Sequence, residues 1–199
     1  MPVKHLQQKL DRPAQESLLA ELRSVIAAAP FYTPTMPRTG KPMSVRMTNC
    51  GSLGWLTDKA KGYRYEPVHP ETGEPWPPIP DLLVKLWEEV AGFDAPPEAC
   101  LINYYAKGTK MGLHRDEDEQ TFEAPVVSVS LGDTAMFRIG GLTRKDPTRR
   151  IELESGDVVI FGGEDRLIYH GIDRIVAGSS DLMPEGGRIN LTLRRVTPA

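Results

Sequence analysis

The residues with the clearest chemical potential in this sequence are two histidines and an aspartate. His114 and Asp116 are separated by one residue, and His170 follows 56 positions after His114. Because alternate residues of an extended strand point to the same side, His114 and Asp116 can offer an imidazole and a carboxylate to one ion. Two histidines and one carboxylate leave coordination positions open, which suits non-haem Fe(II) and its reaction with oxygen. We therefore predict a metal site with His170 as the third ligand.

The last β-prone segment, residues 188–194, carries a second group of candidate residues. Its sequence RINLTLR alternates, so that Arg188, Asn190, Thr192 and Arg194 share one face and three aliphatic residues share the other. The two guanidiniums are roughly 20 Å apart along a fully extended strand, and their long side chains can converge on the ends of a small dicarboxylate. The polar face is therefore predicted to line a binding site.

The elements that position these residues change from helix to strand along the chain. Asp11 and Pro13 open a segment with helical apolar spacing that ends at Pro30, and a second such segment, residues 82–90, ends at Gly92. The second half contains seven β-prone runs, at residues 99–105, 125–131, 135–139, 150–154, 157–161, 166–169 and 188–196. Short strands without intervening helices predict a sandwich, jelly roll or barrel.

Between the two predicted helices lies a long segment that is rich in proline and glycine. Residues 31–80 also contain six aromatic residues. Irregular segments of this length are uncommon unless they are lids, binding loops or disordered. We interpret the chain as one structural domain with an N-terminal helical extension (1–30), a lid (31–80), and a helix followed by the catalytic core (81–199).

Composition limits the class of protein. The 199 residues, 40% hydrophobic and 26% charged, fit one globular domain. The chain has neither an apolar run of the ~18 residues that a spanning helix needs nor an apolar secretory leader, so a cytoplasmic protein without a membrane partner is expected. Two cysteines, Cys50 and Cys100, are too few for a disulfide framework and are expected to remain thiols.

The distribution of charge bears on the partner. A net charge of −3 disfavours nucleic acid at first sight. However, residues 31–65 hold six basic residues against one acidic residue, and residues 138–150 hold five against one. Each segment is either a phosphate-facing surface or an ordinary solvated face, and the presence of two favours the first interpretation.

Several segments together resemble a known family. They are NYY (103–105), HRDEDE (114–119), SVSLG (128–132), FRIGGL (137–142), GDVVIFGG (156–163), RLIYHG (166–171) and RINLTLR (188–194). Their order and spacing resemble the AlkB family of Fe(II)/2-oxoglutarate-dependent nucleic-acid dealkylases, and most of all its bacterial DNA-repair members. The resemblance spans residues 45–196 and implies a mainly β (α+β) fold, a double-stranded β-helix or jelly roll with N-terminal helices and a nucleotide-recognition lid.

The resemblance also implies a role for individual residues. His114, Asp116 and His170 match the Fe(II) ligands, and Arg194 and Arg188 match the arginines that pair with the 1- and 5-carboxylates of 2-oxoglutarate. The remaining matches are the hydrogen-bonding partners of 2-oxoglutarate, Asn103, Tyr105 and Asn190, and the substrate contacts, Trp55, Tyr63, Asp118 and Arg144.

The implied reaction is oxidative dealkylation of bases such as 1-methyladenine and 3-methylcytosine in DNA, with O2 as oxidant and formaldehyde, succinate and CO2 as products. Such bases carry positive charge and pair poorly, so they are easier to flip out and attract an aromatic face and a carboxylate. Residues 115–123, with five acidic residues against one basic residue, supply negative charge. A monomer acting preferentially on single strands is expected.

Three alternatives remain open from the sequence. A zinc hydrolase can use the same three ligands but has little need of paired arginines. A metal-binding jelly-roll module without catalysis is the second. The third is an oxygenase of the same family that acts on RNA, a protein or a metabolite, because nothing in the sequence recognises the 2′-hydroxyl.

Overall fold

The computed structural model describes residues 3–199, so residues 1 and 2 of the predicted N-terminal extension lie outside the described residues. Two α-helices occur in this range, α1 (Arg12–Ala28) and α2 (Asp81–Val90). The strands are β1 (Lys4–Leu6), β2 (Arg46–Gly51), β3 (Gly54–Asp58), β4 (Gly62–Glu66), β5 (Ala99–Tyr105), β6 (Met111–His114), β7 (Val126–Gly132), β8 (Thr134–Ile139), β9 (Arg149–Leu153), β10 (Val158–Phe161), β11 (His170–Val176) and β12 (Arg188–Arg194).

The strands form a larger sheet, a smaller sheet and a separate hairpin. The six-stranded sheet has the order β1-β10-β7-β12-β5-β2, the four-stranded sheet has the order β6-β11-β8-β9, and β3 pairs with β4. All of these pairings are antiparallel. The predicted mainly β jelly roll with N-terminal helices is confirmed.

Helix α1 begins and ends where the sequence predicts. The Asp11 side chain accepts a hydrogen bond from the backbone N–H of Ala14 at 2.9 Å, which satisfies a free donor of the first turn. Pro13 occupies the first turn, where its missing N–H costs nothing. The helix ends at Ala28, two residues before Pro30. Its buried aliphatic side chains belong to the apolar cluster between the helices and the larger sheet.

Two apolar clusters enclose the larger sheet. One lies on the helical side and includes Leu191 and Leu193 of β12, and the other lies toward the smaller sheet and includes Phe137 and Phe161. The alternation of β12 therefore places its aliphatic residues against the helices. Its polar residues face the space between the two sheets, as predicted.

The predicted strands agree with the structure except just before His170, the third candidate metal ligand. Residues 166–169, predicted as a strand, form a turn after a short 3₁₀ segment, and β11 begins at His170. The reason is local, because the backbone N–H of Arg166 bonds to the carbonyl of Gly163 and closes that turn. The strand that carries His114 ends at that residue, so Asp116 lies in the loop after β6 and not on the strand itself.

The long segment 31–80 contains three strands. Its β2 joins the larger sheet beside β5, where Cys50 lies opposite Cys100 and both are free, buried cysteines. The β3–β4 hairpin is held by Trp76, whose indole N–H donates to the carbonyl of Glu66 at 2.8 Å. The division into an extension, a lid and a core stays an interpretation. Neither described helix has the length and apolar character that crossing a bilayer requires.

Candidate active site between the two sheets

A cavity of about 560 Å³ opens between the two sheets and the β3–β4 hairpin. It is lined by all twelve residues to which the family resemblance assigns a role. They are Asn103, Tyr105, His114, Asp116, His170, Arg188, Asn190 and Arg194, together with Trp55, Tyr63, Asp118 and Arg144. Segments that are far apart in the sequence therefore meet at one place.

The three predicted metal ligands converge at this cavity. One potential ligand atom from each of His114, Asp116 and His170 lies within 4.8 Å of the other two. His114 lies at the end of β6 and pairs in register with His170 at the start of β11. Asp116 reaches the same point from the loop that follows β6, with its Oδ1 3.9 Å from Nε2 of His114.

The tautomers of both histidines fit metal binding. The Nδ1 atom of His114 lies 2.9 Å from the carbonyl oxygen of Gly112, and that of His170 lies 3.1 Å from the carbonyl oxygen of Ile168. A carbonyl oxygen only accepts hydrogen bonds, so each Nδ1 carries the proton. Each Nε2 is then left with a lone pair for an ion, and the backbone fixes the orientation of the ring. The donor set therefore fits Fe(II).

Electrostatics keep the ligands in the protonation states that a metal needs. Burial alone would raise the pKa of Asp116, but Arg194 and the two histidines outweigh burial and hold this pKa well below its usual range. Desolvation, followed by the nearby His114, lowers the pKa of His170 to about 4. At neutral pH the site therefore presents one carboxylate and a neutral His170.

Arg188 lies at the inner end of the cavity and suits an anionic ligand. Its side chain is buried, and its Nε and Nη1 atoms have no hydrogen-bond partner among residues 3–199. Desolvation lowers the pKa of Arg188 to about 10, which still leaves the guanidinium charged at neutral pH. A buried cation without a paired carboxylate is costly unless an anion completes it. The residues present therefore fit the carboxylate of a co-substrate.

The three predicted partners of 2-oxoglutarate differ in their hydrogen bonding. Asn103 has a buried Oδ1 without a partner in the described chain, and Tyr105 pairs in register with Arg188. The Asn190 amide is already engaged, because its Nδ2 donates to Ser128 Oγ at 2.7 Å and its Oδ1 accepts from Thr192 at 3.0 Å. Asn190 lines the cavity with its amide orientation fixed.

The predicted base-contacting residues meet at the cavity mouth. The rings of Trp55 and Tyr63 stack with centroids 5.6 Å apart and planes 23° apart. The indole N–H of Trp55 donates to Asp118 at 2.8 Å. Partial burial raises the pKa of Asp118 above its ordinary value, while the Trp55 hydrogen bond opposes this change. An aromatic face and a carboxylate are therefore presented together.

Two residues that hold Trp55 were not predicted from the sequence. The side chain of Asn49 on β2 accepts from the backbone N–H of Trp55 at 3.0 Å and donates to its carbonyl at 3.1 Å. The hydroxyl of Tyr32 donates to the same carbonyl at 3.3 Å. Asn49 is completely buried. Sequence patterns do not reveal such a contact, because it depends on how β2 and β3 pack.

Arg144 lies at the rim of the cavity beside Tyr169, an aromatic residue for which the sequence predicts no role. Its guanidinium lies 6.0 Å from the ring centroid of Tyr169, and that of Arg115 lies 5.5 Å from the same centroid. Arg115 is also paired with Glu117. One side of the cavity mouth is therefore basic and aromatic.

The acidic run 115–123 is less negative in the fold than in the sequence. Glu119, one of the five acidic residues of this run, is buried and paired with Arg166 at 3.1 Å. Asp116 is paired with Arg194 at 2.8 Å. Neither arginine is close in sequence, so the neutralisation is visible only in three dimensions.

Comparisons with known proteins agree with this geometry. The family profile described as "2OG-Fe(II) oxygenase superfamily" matches residues 2–194. The chain is 54% identical over 190 residues to an "Alpha-ketoglutarate-dependent dioxygenase AlkB homolog" of Caulobacter vibrioides, covering 96% of this chain and 86% of the relative. It is 48% identical over 186 residues to "Alpha-ketoglutarate-dependent dioxygenase AlkB" of Escherichia coli, covering 92% of this chain and 85% of that one.

A solved structure described as "The structure of OsALKBH1" superposes with a TM-score of 0.78 at 33% identity and covers 97% of both chains. The fold, the set of candidate metal ligands and the sequence similarity therefore indicate the same family. The enzyme uses Fe(II), 2-oxoglutarate and O2. The chain belongs to the 2OG-Fe(II) oxygenase superfamily and, within it, to the AlkB family of 2-oxoglutarate-dependent dioxygenases.

Proposed function

We propose that this dioxygenase removes alkyl groups from cationic N-alkylated bases in DNA, of the 1-methyladenine and 3-methylcytosine type. The observation that carries this proposal is the direct contact between Trp55 and Asp118 in the cavity that also holds the metal ligands. An aromatic face and a carboxylate within one cavity match a flat cation better than a neutral metabolite.

The physical chemistry of such bases supports the match. Alkylation at a ring nitrogen adds positive charge and blocks normal pairing, so flipping the base out of the helix costs less than for an intact base. A cation against an aromatic face gains about 0.5 to 2 kcal/mol. The carboxylate of Asp118 adds a charged contact that a neutral base does not receive.

The residues of the chain have distinct roles in this proposal. His114, Asp116 and His170 hold the iron, and Arg194 and Arg188 pair with the 1- and 5-carboxylates of 2-oxoglutarate. When bound, iron, 2-oxoglutarate and O2 would supply the oxidation of the alkyl carbon: one oxygen atom of O2 enters the carbon that leaves as formaldehyde, the other enters succinate, and CO2 is released. Asn103 and Tyr105 complete the polar wall against the co-substrate. Trp55, Tyr63 and Asp118 position the base.

The basic segments fit the phosphates of the strand. Lys59 and Lys61 lie in the turn between β3 and β4, and Arg144 lies at the cavity rim. A single strand is the preferred partner, because no base pair has to be opened before the base enters. The enzyme acts as a monomer, and its cytoplasmic location stays a prediction. RNA is the second nucleic acid to test, because the proposed contacts are to the base and the phosphates and not to the sugar.

The proposal is tested by formaldehyde release. Single-stranded DNA with one 1-methyladenine or 3-methylcytosine is incubated with the enzyme, Fe(II), 2-oxoglutarate and O2, beside the unmethylated strand and a methylated RNA of the same sequence. We expect formaldehyde only from methylated strands and only when both iron and 2-oxoglutarate are present. Consumption of 2-oxoglutarate without formaldehyde from any methylated strand would contradict the proposed substrate.

A further inference from the structure

A buried carboxylate in the lining of the cavity, three residues after Asp116, joins three segments of the chain. The side chain of Glu119 is 1% exposed and lies beside Arg166 from the turn before β11 and Arg194 from β12. The Tyr65 hydroxyl from β4 donates to Glu119 Oε1 at 2.5 Å. The Arg166 Nη2 atom donates to Oε2 at 3.1 Å, and Nε of Arg194 lies 3.4 Å from Oε1.

Arg166 holds this carboxylate and a metal-ligand residue at the same time. Its Nη1 donates to the backbone carbonyl of Asp116 at 2.8 Å, and its Nε donates to that of Ala124 at 3.1 Å. All three donors face different acceptors, and the side chain is only 3% exposed. The planar guanidinium therefore fixes the loop that carries Asp116 relative to Glu119.

Arg194 is positioned from two sides. Its Nη2 lies 2.8 Å from Oδ2 of Asp116, and its Nη1 donates to the Tyr65 hydroxyl at 3.2 Å. Glu119 contacts both Arg194 and Tyr65. Strand β4 thus contacts Arg194 directly through the Tyr65 hydroxyl, and indirectly through the Glu119 carboxylate that this hydroxyl also bonds.

We propose that Glu119, held by Arg166, is a positioning residue that fixes Arg194 and the Asp116 loop, and that it uses the Tyr65 hydroxyl of the lid strand as its support. The proposal rests on the assigned role of Arg194 in binding 2-oxoglutarate. Glu119 is not one of the three candidate metal ligands, and its carboxylate oxygens accept from Tyr65 and Arg166. It sets the direction in which the Arg194 guanidinium is presented.

The chemistry of the acceptor explains why a carboxylate is needed. Tyr65 and Arg166 donate to the two oxygens of Glu119, and the Arg194 guanidinium lies 3.4 Å from Oε1 as an ion pair without a hydrogen bond. A carboxylate accepts from both donors and offsets the charge of Arg194, whereas a glutamine has one accepting oxygen, turns its own N–H donors toward a donor and carries no charge. Glu119→Gln therefore leaves a buried donor unpaired and lets Arg194 shift toward Asp116.

The experiment measures 2-oxoglutarate binding directly, without turnover. The wild type, Glu119→Gln and Tyr65→Phe are loaded with Mn(II) under anaerobic conditions, and the dissociation constant of 2-oxoglutarate is measured by calorimetry. Thermal unfolding is recorded in parallel. The matched control is Glu98→Gln, because Glu98 is also a carboxylate beside β12 that accepts from Val196 and Thr197 but does not line the cavity.

We expect the dissociation constant to rise about tenfold in Glu119→Gln and about threefold in Tyr65→Phe, as the loss of buried hydrogen bonds predicts. Glu98→Gln should lower the unfolding temperature and leave this constant unchanged. If Glu119→Gln does not fold, Tyr65→Phe, which removes only one hydroxyl, decides the question.

Two outcomes contradict the account in different ways. Wild-type affinity in Glu119→Gln and Tyr65→Phe, with only the unfolding temperature lowered, would show that the cluster is purely structural and would overturn the inference. Absence of 2-oxoglutarate binding by the wild-type protein would instead overturn the proposed function, and the inference with it.

Discussion

The indole N–H of Trp55 donates to the carboxylate of Asp118 at 2.8 Å, although 63 positions separate the two residues. The contact joins β3 to the loop that carries the metal ligand Asp116. Because the indole uses its edge, its faces remain for stacking, and Tyr63 stacks on one of them. The aromatic and acidic parts of the proposed base site are thus held together in the protein alone.

Asp118 should discriminate by charge. Asp118→Asn retains an oxygen that can accept from Trp55 but removes the negative charge. We expect about tenfold weaker binding of strands with 1-methyladenine or 3-methylcytosine, because hydrogen bonds and contacts to charged groups are the stronger ones. Strands with the neutral 3-methylthymine should be affected much less.

Fluorescence anisotropy with labelled single strands measures these affinities. Glu123→Gln is the control, because it removes a charge from the same acidic run at an exposed residue outside the cavity lining. Equal losses for cationic and neutral lesions in Asp118→Asn would contradict recognition of a cation.

Trp55 should contribute stacking, and Asn49 should act through it. Trp55→Ala removes a base contact worth about 1 to 3 kcal/mol, which is roughly a ten- to hundredfold loss of affinity. Asn49→Ala removes one hydrogen bond from the backbone N–H and one from the carbonyl of Trp55 and should produce a smaller loss of the same kind. The difference in affinity between methylated and unmethylated strands measures both effects. Unchanged methylated-strand affinity in Trp55→Ala would rule out stacking on that residue.

The sequence predicts some of these relationships and not others, for physical reasons. The polar face of β12 follows from the two-residue period of a strand, so Arg188 and Arg194 could be predicted to line a binding site, whereas their separate roles come from the family resemblance. The candidate metal ligands follow from residue types, because the histidine and aspartate side chains at 114, 116 and 170 can all donate an electron pair to a metal ion. Glu119 and Asn49 were missed because their partners lie on other segments. Neither periodicity nor composition distinguishes a buried paired carboxylate from one on a solvated face.

The two cavity arginines should respond to lysine substitution. A guanidinium forms two parallel hydrogen bonds with a carboxylate, which an ammonium does not reproduce. Arg188→Lys and Arg194→Lys should therefore each raise the 2-oxoglutarate concentration required for half-maximal turnover while sparing DNA affinity. Arg195→Lys is the control, because Arg195 pairs with Glu98 outside the cavity lining. An unchanged requirement in both cavity variants would assign this face of β12 another role.

The metal ligands should be necessary for turnover but not for the fold. His114→Ala and His170→Ala each remove one ligand from a set of three, so metal affinity and formaldehyde release should be lost while thermal unfolding changes little. His5→Gln on β1, a histidine that does not line the cavity, should retain both. Full activity in either ligand variant would contradict the metal assignment.

Lys59 and Lys61 should contribute to affinity without regard to the lesion. If these lysines contact phosphates, Lys59→Ala and Lys61→Ala weaken methylated and unmethylated strands alike. Each should also reduce the slope of log affinity against log salt concentration by about one unit or less. A salt series with both strands tests this expectation, and a loss confined to methylated strands would place these lysines at the base instead.

The most direct test of the central claim is the stoichiometry of the reaction on one lesion. Succinate, formaldehyde and the repaired strand are quantified together for a single-stranded oligonucleotide that contains one 1-methyladenine, the succinate by mass spectrometry and the strand by its intact mass. We expect equal amounts of all three products, and no formaldehyde from the unmethylated strand. If succinate forms but the methylated strand keeps its methyl group, dealkylation as the function of this cavity is contradicted.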